Sequence, residues 1–166
     1  MAYANKTYVC FDADTDIHYY RLMTAWKEND KFEFNFHNAH EINNLRDGSS
    51  EATIKAKLRE RLANTKVLVV LVGKNTANLY KYVRWEIEYA IEKNIPIVAV
   101  NLNGSKAKDD LCPPILRNEL AMFTNFGHKI INFALNNWTV QHFTEKANGK
   151  TGSFYYPDKI YDGLWW

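Results

Sequence analysis

The apolar run Val67–Val72 (VLVVLV) constrains the fold of this chain more than any other segment. It shows no alternation of apolar and polar residues, which indicates a strand buried on both faces, as at the centre of a parallel sheet. The run is also far shorter than the roughly 20 apolar residues that cross a bilayer. The sequence therefore predicts a buried parallel strand here and no membrane span.

Strand and helix patterns alternate on both sides of this run. Ile54, Leu58 and Leu62 recur every fourth residue, as on the buried side of a helix that begins after Ser49 or Ser50. The alternation predicts an α/β fold: a flavodoxin-like open parallel sheet, joined by right-handed crossovers, with helices on both faces. The other predicted strands are residues 7–11, 32–36 and 95–102, and the other predicted helices are residues 16–28 and 80–93.

Beyond residue 103 the pattern becomes less regular. Short helical patterns cover residues 114–119 and 128–143, and the tail GSFYYPDKIYDGLWW is dense in aromatic residues. Such rings bury large areas at a core edge or a subunit contact. A length of 166 residues fits one domain better than two. We predict a single domain over residues 1–166, in which the C-terminal helices and aromatic tail of residues 104–166 pack on a core of residues 6–103.

Charge and cysteine content exclude several classes of function. A formal net charge of +2 indicates no strong basic patch, so nucleic acid is not expected as the main partner. Two cysteines form neither a disulfide framework nor a metal-ligand cluster. The acidic turn of residues 12–16 lacks the glycine and distal glutamate of an EF-hand loop, so no metal is expected. The start MAYANKTY has neither region of a signal peptide, which predicts a cytoplasmic location.

The helix pattern of residues 80–93 turns one glutamate toward the core. At roughly 100° per residue, Glu88 and Glu92 point away from the sheet, whereas Glu86 lies at the edge of the arc that must face it. A partly buried carboxylate is costly unless it is paired or hydrogen-bonded. Glu86 is therefore expected either to meet a structural partner, such as a basic side chain, Tyr82 or a backbone amide, or to line a cleft. The arc consists of Val83, Ile87, Ala90 and Ile91.

The position of Glu86 favours a cleft. Ligands of open α/β sheets bind outside the carboxyl ends of the strands, and Glu86 follows the central strand after a short loop. The same edge collects residues 12–16, 37–44 and 73–78, which are the candidate walls of a pocket. Helix capping is the alternative role of the aspartates in the first segment, and aspartate strongly favours that role. Three histidines suit either chemical or surface positions: His18, His37 and His40.

The order of these elements and the segment YVRWE together resemble the TIR domain, specifically the TIR-like subfamily found in bacterial Thoeris antiphage defence. The resemblance covers residues 7–103. The third helix of TIR enzymes carries a W-x-x-x-E motif whose glutamate is catalytic; its counterpart here is Glu86, and Tyr82 stands at the tryptophan position. The polar segment 37–49 corresponds to the mobile BB loop of the family.

The resemblance implies an enzyme that cleaves the bond between nicotinamide and ribose in NAD, as an NAD glycohydrolase or an ADP-ribosyl cyclase. It implies NAD as the substrate, no cofactor, and Glu86 as the catalytic residue that stabilises a cationic ribose. It also implies a downstream effector that senses an ADP-ribose-derived signal, a phage-derived trigger and a homo-oligomer. The residues expected to bind the substrate are Phe11, Asp12, His37, Asn38, Asn75 and Tyr82.

Two other α/β classes fit the sequence poorly, and one alternative stays open. A receiver domain needs an aspartate at the end of its third strand, where this chain has LVGKN, and a flavodoxin needs a hydroxyl-rich loop where it has FDADTD. No G-x-G-x-x-G or P-loop motif occurs. The open alternative is a non-enzymatic TIR-like scaffold that signals by assembling with its own kind, with Glu86 as a structural carboxylate. Release of nicotinamide from NAD distinguishes the enzyme from the scaffold.

Overall fold

The computed structural model describes residues 6–28, 35–37, 50–79 and 81–164. The strands in these ranges are β1 (Lys6–Cys10), β2 (Asn35–His37), β3 (Val67–Val72), β4 (Ile97–Asn101), β5 (Ala121–Asn125) and β6 (Ser153–Tyr155). They form one sheet in the order β2-β1-β3-β4-β5-β6, and every neighbouring pair is parallel. The α/β class with a flavodoxin-like open parallel sheet is confirmed.

The strand β3 lies inside the sheet, as its sequence predicts. All six of its residues are buried, and it pairs with β1 on one side and β4 on the other. Val69 is level with Val9 of β1 and Val98 of β4. Because β3 has helices above and below it, neither set of its alternating side chains has to be polar.

Five helices connect and cover the strands in the described ranges: α1 (Ile17–Glu28), α2 (Glu51–Leu62), α3 (Tyr82–Glu92), α4 (His128–Ala147) and α5 (Asp158–Gly163). Ser50 caps α2, because its hydroxyl accepts a hydrogen bond from the backbone N–H of Thr53 at 3.2 Å. Of the two serines predicted to begin this helix, Ser50 is therefore the cap.

The helices lie on both faces of the sheet, as predicted. Successive side chains of a strand point to opposite faces. The Cys10 thiol donates to the carbonyl oxygen of Val83 in α3 at 3.9 Å, so α3 covers this face of β1. Phe11 instead stacks on Tyr20 of α1, with ring centroids 4.8 Å apart. The helices α1 and α3 thus cover opposite faces.

Two strands were missed by the sequence patterns. The segments AMFTN (β5) and SFY (β6) extend the sheet beyond residue 103, and β6 is part of the aromatic tail. Within the tail, Phe154 packs against Trp138 of α4, with ring centroids 5.2 Å apart. The helix predicted over residues 114–119 is only a 3₁₀ turn at Pro114–Leu116, and α4 continues to Ala147, past the predicted end at residue 143.

Part of the predicted second strand and the polar segment after it lie outside the described residues. These are residues 32–34 and 38–49. No helix in the described ranges combines the length and the apolar character needed to cross a membrane.

Candidate functional site

The helix α3 turns Glu86 into the interior of the protein. Only 5% of Glu86 is exposed, whereas Glu88 and Glu92 of the same helix are exposed to solvent. The sequence placed Glu86 at the edge of the buried arc, and the structure places it within that arc. The buried side chains of α3 are Val83, Glu86, Ile87 and Ala90.

Glu86 faces β1, where it meets Tyr8. The Tyr8 hydroxyl donates a hydrogen bond to Glu86 Oε1 at 3.0 Å, and Tyr8 is fully buried. Tyr8 and Cys10 are two residues apart on one strand, so both point toward α3. Packing of β1 against α3 therefore gives the buried carboxylate a structural partner that the sequence analysis did not anticipate.

Both groups that β1 presents to Glu86 stay protonated. Burial raises the pKa of the Cys10 thiol well above its ordinary value, and the negative charge of Glu86 raises it further. The same two causes, in the same order, raise the pKa of the Tyr8 hydroxyl. Tyr8 and Cys10 are therefore neutral in the physiological range. The hydrogen bond from Tyr8 orients the Glu86 carboxyl group.

Tyr82 lies one helical turn before Glu86 on the same side of α3. Its ring is half-buried and meets the ring of Trp85 edge to face, with centroids 5.5 Å apart. The Lys55 ammonium lies over the ring of Trp85, 4.6 Å from its centroid. Tyr82 and Glu86 thus lie one turn apart near the N-terminal end of α3, and a cation lies beside the ring of Trp85.

Phe11 and Asp12, which follow β1, contact α1 and the turn before it. Phe11 is buried against Tyr20 of α1, on the face of the sheet opposite to Glu86. Asp12 accepts hydrogen bonds from the backbone N–H of Asp14 at 3.1 Å and from the Thr15 hydroxyl at 2.7 Å. The Asp12 carboxylate thus stabilises the turn that leads into α1, which agrees with the capping alternative. Binding of substrate by either residue stays a prediction.

The remaining predicted binding residues follow other strands. His37 ends β2, whereas Asn38 lies outside the described residues, as do the side-chain contacts of His37. Asn75 follows β3 and is exposed, and it precedes the 3₁₀ turn Thr76–Asn78 without capping it through its side chain. The structure does not bring Asn75 to Glu86; it places Asn75 at a separate cavity described next.

A cavity of about 300 Å³ opens where β1, β3 and β4 end, and we name it the Asp16 cavity. Asp16 and Tyr19 line it from the start of α1, Gly73 and Lys74 from the segment after β3, and further residues from the segments after β4. Only 6% of Asp16 is exposed, and its Oδ2 has no hydrogen-bond partner. The remaining lining residues include Asn75, Asn103 and Leu111, whereas Glu86 is not among them.

Burial raises the pKa of the Asp16 carboxyl, and the nearby charge of Asp12 raises it further. Among the residues with assigned positions, no group of three or more His, Cys, Asp or Glu side chains could hold a metal ion. This part of the protein contains three buried carboxyl groups, of which Asp12 stabilises its own turn and the other two have different surroundings. Glu86 lies between β1 and α3, and Asp16 lies at the strand ends.

Sequence reasoning missed Tyr8 as a site residue, whereas Asp16 belongs to the segment 12–16 that it named as a candidate pocket wall. The signal for Tyr8 was available, because strand alternation in TYVCF puts Tyr8 and Cys10 on one face. Residues of two predicted walls, 12–16 and 73–78, do line the Asp16 cavity, but no local pattern distinguishes Asp16 from the other aspartates of its turn.

A comparison with protein families gives one match. The model described as "Thoeris protein ThsB, TIR-like domain" matches residues 8–107, which is more than half of the 166 residues. The matched segment begins at Tyr8, contains Glu86 and the residues of β3 and β4, and ends just after the strand ends that form the Asp16 cavity.

Proposed function

The chain belongs to the family of Thoeris ThsB TIR-like domains, and on that premise we propose that it cleaves NAD, as a glycohydrolase or ADP-ribosyl cyclase, and so produces an ADP-ribose-derived signal in antiphage defence. Glu86 is the catalytic residue in this proposal. The observation that carries it is a glutamate buried to 95% in the helix that follows the central strand, whose carboxyl group accepts a hydrogen bond from Tyr8.

The reaction creates positive charge that a carboxylate can stabilise. The bond between nicotinamide and ribose C1′ breaks, and its electron pair leaves with nicotinamide. The ribose then acquires oxocarbenium character, as in glycoside hydrolysis. Water adds to C1′ and loses a proton to give ADP-ribose, or an internal nucleophile of ADP-ribose adds instead and gives a cyclic product. A carboxylate beside C1′ lowers the barrier in either case.

The surroundings of Glu86 support this role. A charge has a stronger effect in a dry interior than in water, because the local dielectric constant is low. Tyr8 stays protonated, so it remains a hydrogen-bond donor to Glu86. The hydrogen bond from Tyr8 restricts the carboxylate to one orientation, and a fixed charge needs no reorganisation during the reaction. Exclusion of water also favours an internal nucleophile over hydrolysis.

The roles of the other substrate-binding residues follow from their chemistry in this proposal. Tyr82 offers an aromatic face to a planar base, one turn away from Glu86. Three polar residues are proposed to hydrogen-bond the substrate: His37 at the end of β2, Asn38, which comes next in the sequence, and Asn75 after β3. Phe11 contributes by packing, because its ring stacks on Tyr20 on the face of the sheet opposite to Glu86.

The decisive experiment incubates the purified chain with NAD and measures nicotinamide by chromatography. Glu86→Gln keeps the shape of the side chain and removes its charge. We expect it to lower the rate about 10²–10³-fold, as loss of one preorganised stabilising group does in other enzymes. Glu88→Gln is the matched control, because Glu88 lies on the same helix, is exposed and pairs only at the surface with Arg84 at 2.9 Å. It is expected to keep the wild-type rate.

The assay is run with and without an extract of phage-infected cells, since the proposal includes a phage-derived trigger. Mass spectrometry of the products distinguishes ADP-ribose from cyclic forms, and addition of the products to a candidate effector tests the signal. Equal nicotinamide release by Glu86→Gln and wild type contradicts the catalytic assignment. Absence of release by the wild-type chain under both conditions contradicts the enzymatic proposal as a whole.

A second candidate function is assembly of a non-catalytic TIR-like scaffold. The observation that favours it is the pair Val140 and Phe143 on α4, whose side chains are 68% and 49% exposed and lie three residues apart on one side of the helix. Sedimentation of the wild-type chain and of a Val140→Ser/Phe143→Ser variant tests it. A concentration-dependent oligomer that the double variant abolishes, without nicotinamide release, supports the scaffold.

A further inference from the structure

We propose that the short helix α5 is a movable lid on a cavity beyond the end of β5, and that Lys106 fastens this lid. The cavity has a volume of about 490 Å³, and we name it the Tyr161 cavity. It is lined by residues 125–130, which join β5 to α4, and by Tyr161 and Leu164 at α5. The proposal concerns access to this cavity and does not depend on NAD cleavage.

The part of the lining that joins β5 to α4 is held firmly. The ring of Phe126 meets Tyr19 edge to face and lies tilted against Trp26, with centroids 4.9 Å apart in both pairs. Both partners belong to α1, and such ring pairs stabilise a packed arrangement. Ile130, in the first turn of α4, is only 4% exposed. A change in access to the cavity therefore has to come from α5.

The helix α5 is held only loosely. None of its six residues, all of which are described, is buried. The residue Tyr156 before it is 8% exposed, and its ring meets Phe133 of α4 edge to face at 5.1 Å. Segments with few buried apolar contacts open locally at a low free energy. The chain is thus anchored at Tyr156, and α5 can move about Pro157, which lies between them.

One side chain from outside the tail fastens α5. The Lys106 ammonium lies 3.0 Å from Asp158 Oδ1 and 4.5 Å from the centroid of the Tyr161 ring. It therefore contacts both the first residue of α5 and a residue that lines the cavity. The side chains of Lys106 and Asp158 are 41% and 80% exposed. An exposed ion pair and an exposed cation–π contact each shift an equilibrium only about two- to fivefold, so the fastening is reversible.

Lys106 itself is presented by a fixed loop. Asn101 ends β4 and is 1% exposed. Its Nδ2 donates hydrogen bonds to the carbonyl oxygens of Ser105 at 3.0 Å and Ala107 at 2.9 Å. These two carbonyl groups flank Lys106, so the buried amide fixes the backbone on both sides of it. A firmly held cation that contacts a loosely held helix is the arrangement expected of a fastener.

Hydrogen–deuterium exchange of the full chain, followed by mass spectrometry, tests the fastening. Lys106→Gln removes the charge and with it both contacts. We expect the amides of residues 158–164 to exchange about tenfold faster than in wild type, and those of β3 to be unchanged. Lys159→Gln is the matched control, because Lys159 lies on α5, is exposed and forms no ion pair with any described residue. It is expected to exchange like wild type.

Thiol labelling tests whether α5 controls access to the cavity. Ile130→Cys introduces a thiol into the lining of the Tyr161 cavity, and the chain's own cysteines, Cys10 and Cys112, are buried. An aromatic disulfide reagent is expected to react with it about tenfold faster in the Lys106→Gln background than in the Lys159→Gln background.

Three results overturn the proposal. The first is equal exchange of residues 158–164 in wild type and Lys106→Gln. The second is equal labelling of the Ile130→Cys thiol in the two backgrounds, because α5 then does not limit access to the cavity. The third is an equal increase of exchange in β3, because the substitution then loosens the whole domain rather than the lid. Circular dichroism establishes that each variant is folded.

Discussion

Removing the Tyr8 hydroxyl tests whether the buried carboxylate is held as described. Tyr8→Phe keeps the aromatic ring and therefore its packing, but it removes the donor that lies 3.0 Å from Glu86 Oε1. Tyr8 is 0% exposed and Glu86 is 5% exposed, so water does not readily replace the lost donor. The variant removes the hydrogen bond between these two buried side chains.

The expected cost follows from the charge of the acceptor. A hydrogen bond to a charged group contributes about 1.5–3 kcal/mol to stability, which is more than a bond between neutral groups. We therefore expect Tyr8→Phe to lower the free energy of unfolding by about 2 kcal/mol at pH 7. In a domain of this size that loss corresponds to a fall in melting temperature of roughly 4–8 °C.

Urea unfolding, followed by tryptophan fluorescence, measures this loss. Tyr155→Phe is the control, because Tyr155 is 63% exposed and loss of its hydroxyl is expected to change stability by less than about 0.5 kcal/mol. The double variant with Glu86→Gln completes a thermodynamic cycle and yields the coupling energy of the two side chains. If Tyr8→Phe is as stable as Tyr155→Phe, the hydrogen bond does not hold Glu86, and the argument for an oriented carboxylate fails.

Two further predictions concern the dependence of stability on pH. Burial and the charge of Asp12 raise the pKa of Asp16 above its ordinary 3.8, so ionising Asp16 destabilises the folded state as pH rises. Asp16→Asn is therefore expected to be more stable than wild type at pH 7, and the difference is expected to vanish below pH 3.8. An equal or lower urea midpoint at pH 7 contradicts this expectation. Burial, and then the charge of Lys146, lower the pKa of His142 from 6.5 to about 4. As pH falls, His142 therefore takes up a proton in the unfolded chain at a higher pH than in the folded chain. The free energy of unfolding of the wild type should fall between pH 6.5 and 4, and His142→Gln should reduce that fall. If the stability of the wild type and of His142→Gln changes with pH in the same way, His142 is not buried in its neutral form.

The elements with strong periodicity were predicted correctly. VLVVLV is a fully buried strand, and the helix after it turns Glu86 inward and Glu88 outward. A run without polar residues must be covered on both faces, and a helix with an apolar arc must place that arc against the sheet. These requirements act within a single segment, so they are visible in a linear sequence.

The strands at the far edge of the sheet were missed for a related reason. AMFTN and SFY are short, and neither has a period that distinguishes a strand from a loop. Each becomes a strand because a neighbour offers backbone partners: β5 pairs with β4, and β6 pairs with β5. Strand formation here depends on residues distant in the sequence.

The candidate site was likewise predicted in part from the sequence, and the rest became visible only in the structure. Helical geometry determined from the sequence alone that a glutamate faces the core, and the order of elements indicated which edge of the sheet could bind a ligand. Only the tertiary structure decided that Glu86 meets Tyr8 and that Asp16 borders a cavity with an unpartnered oxygen. The direction of a side chain follows from local backbone geometry, whereas its partners depend on the register and separation of β1, β3 and α3, which only the packed chain establishes.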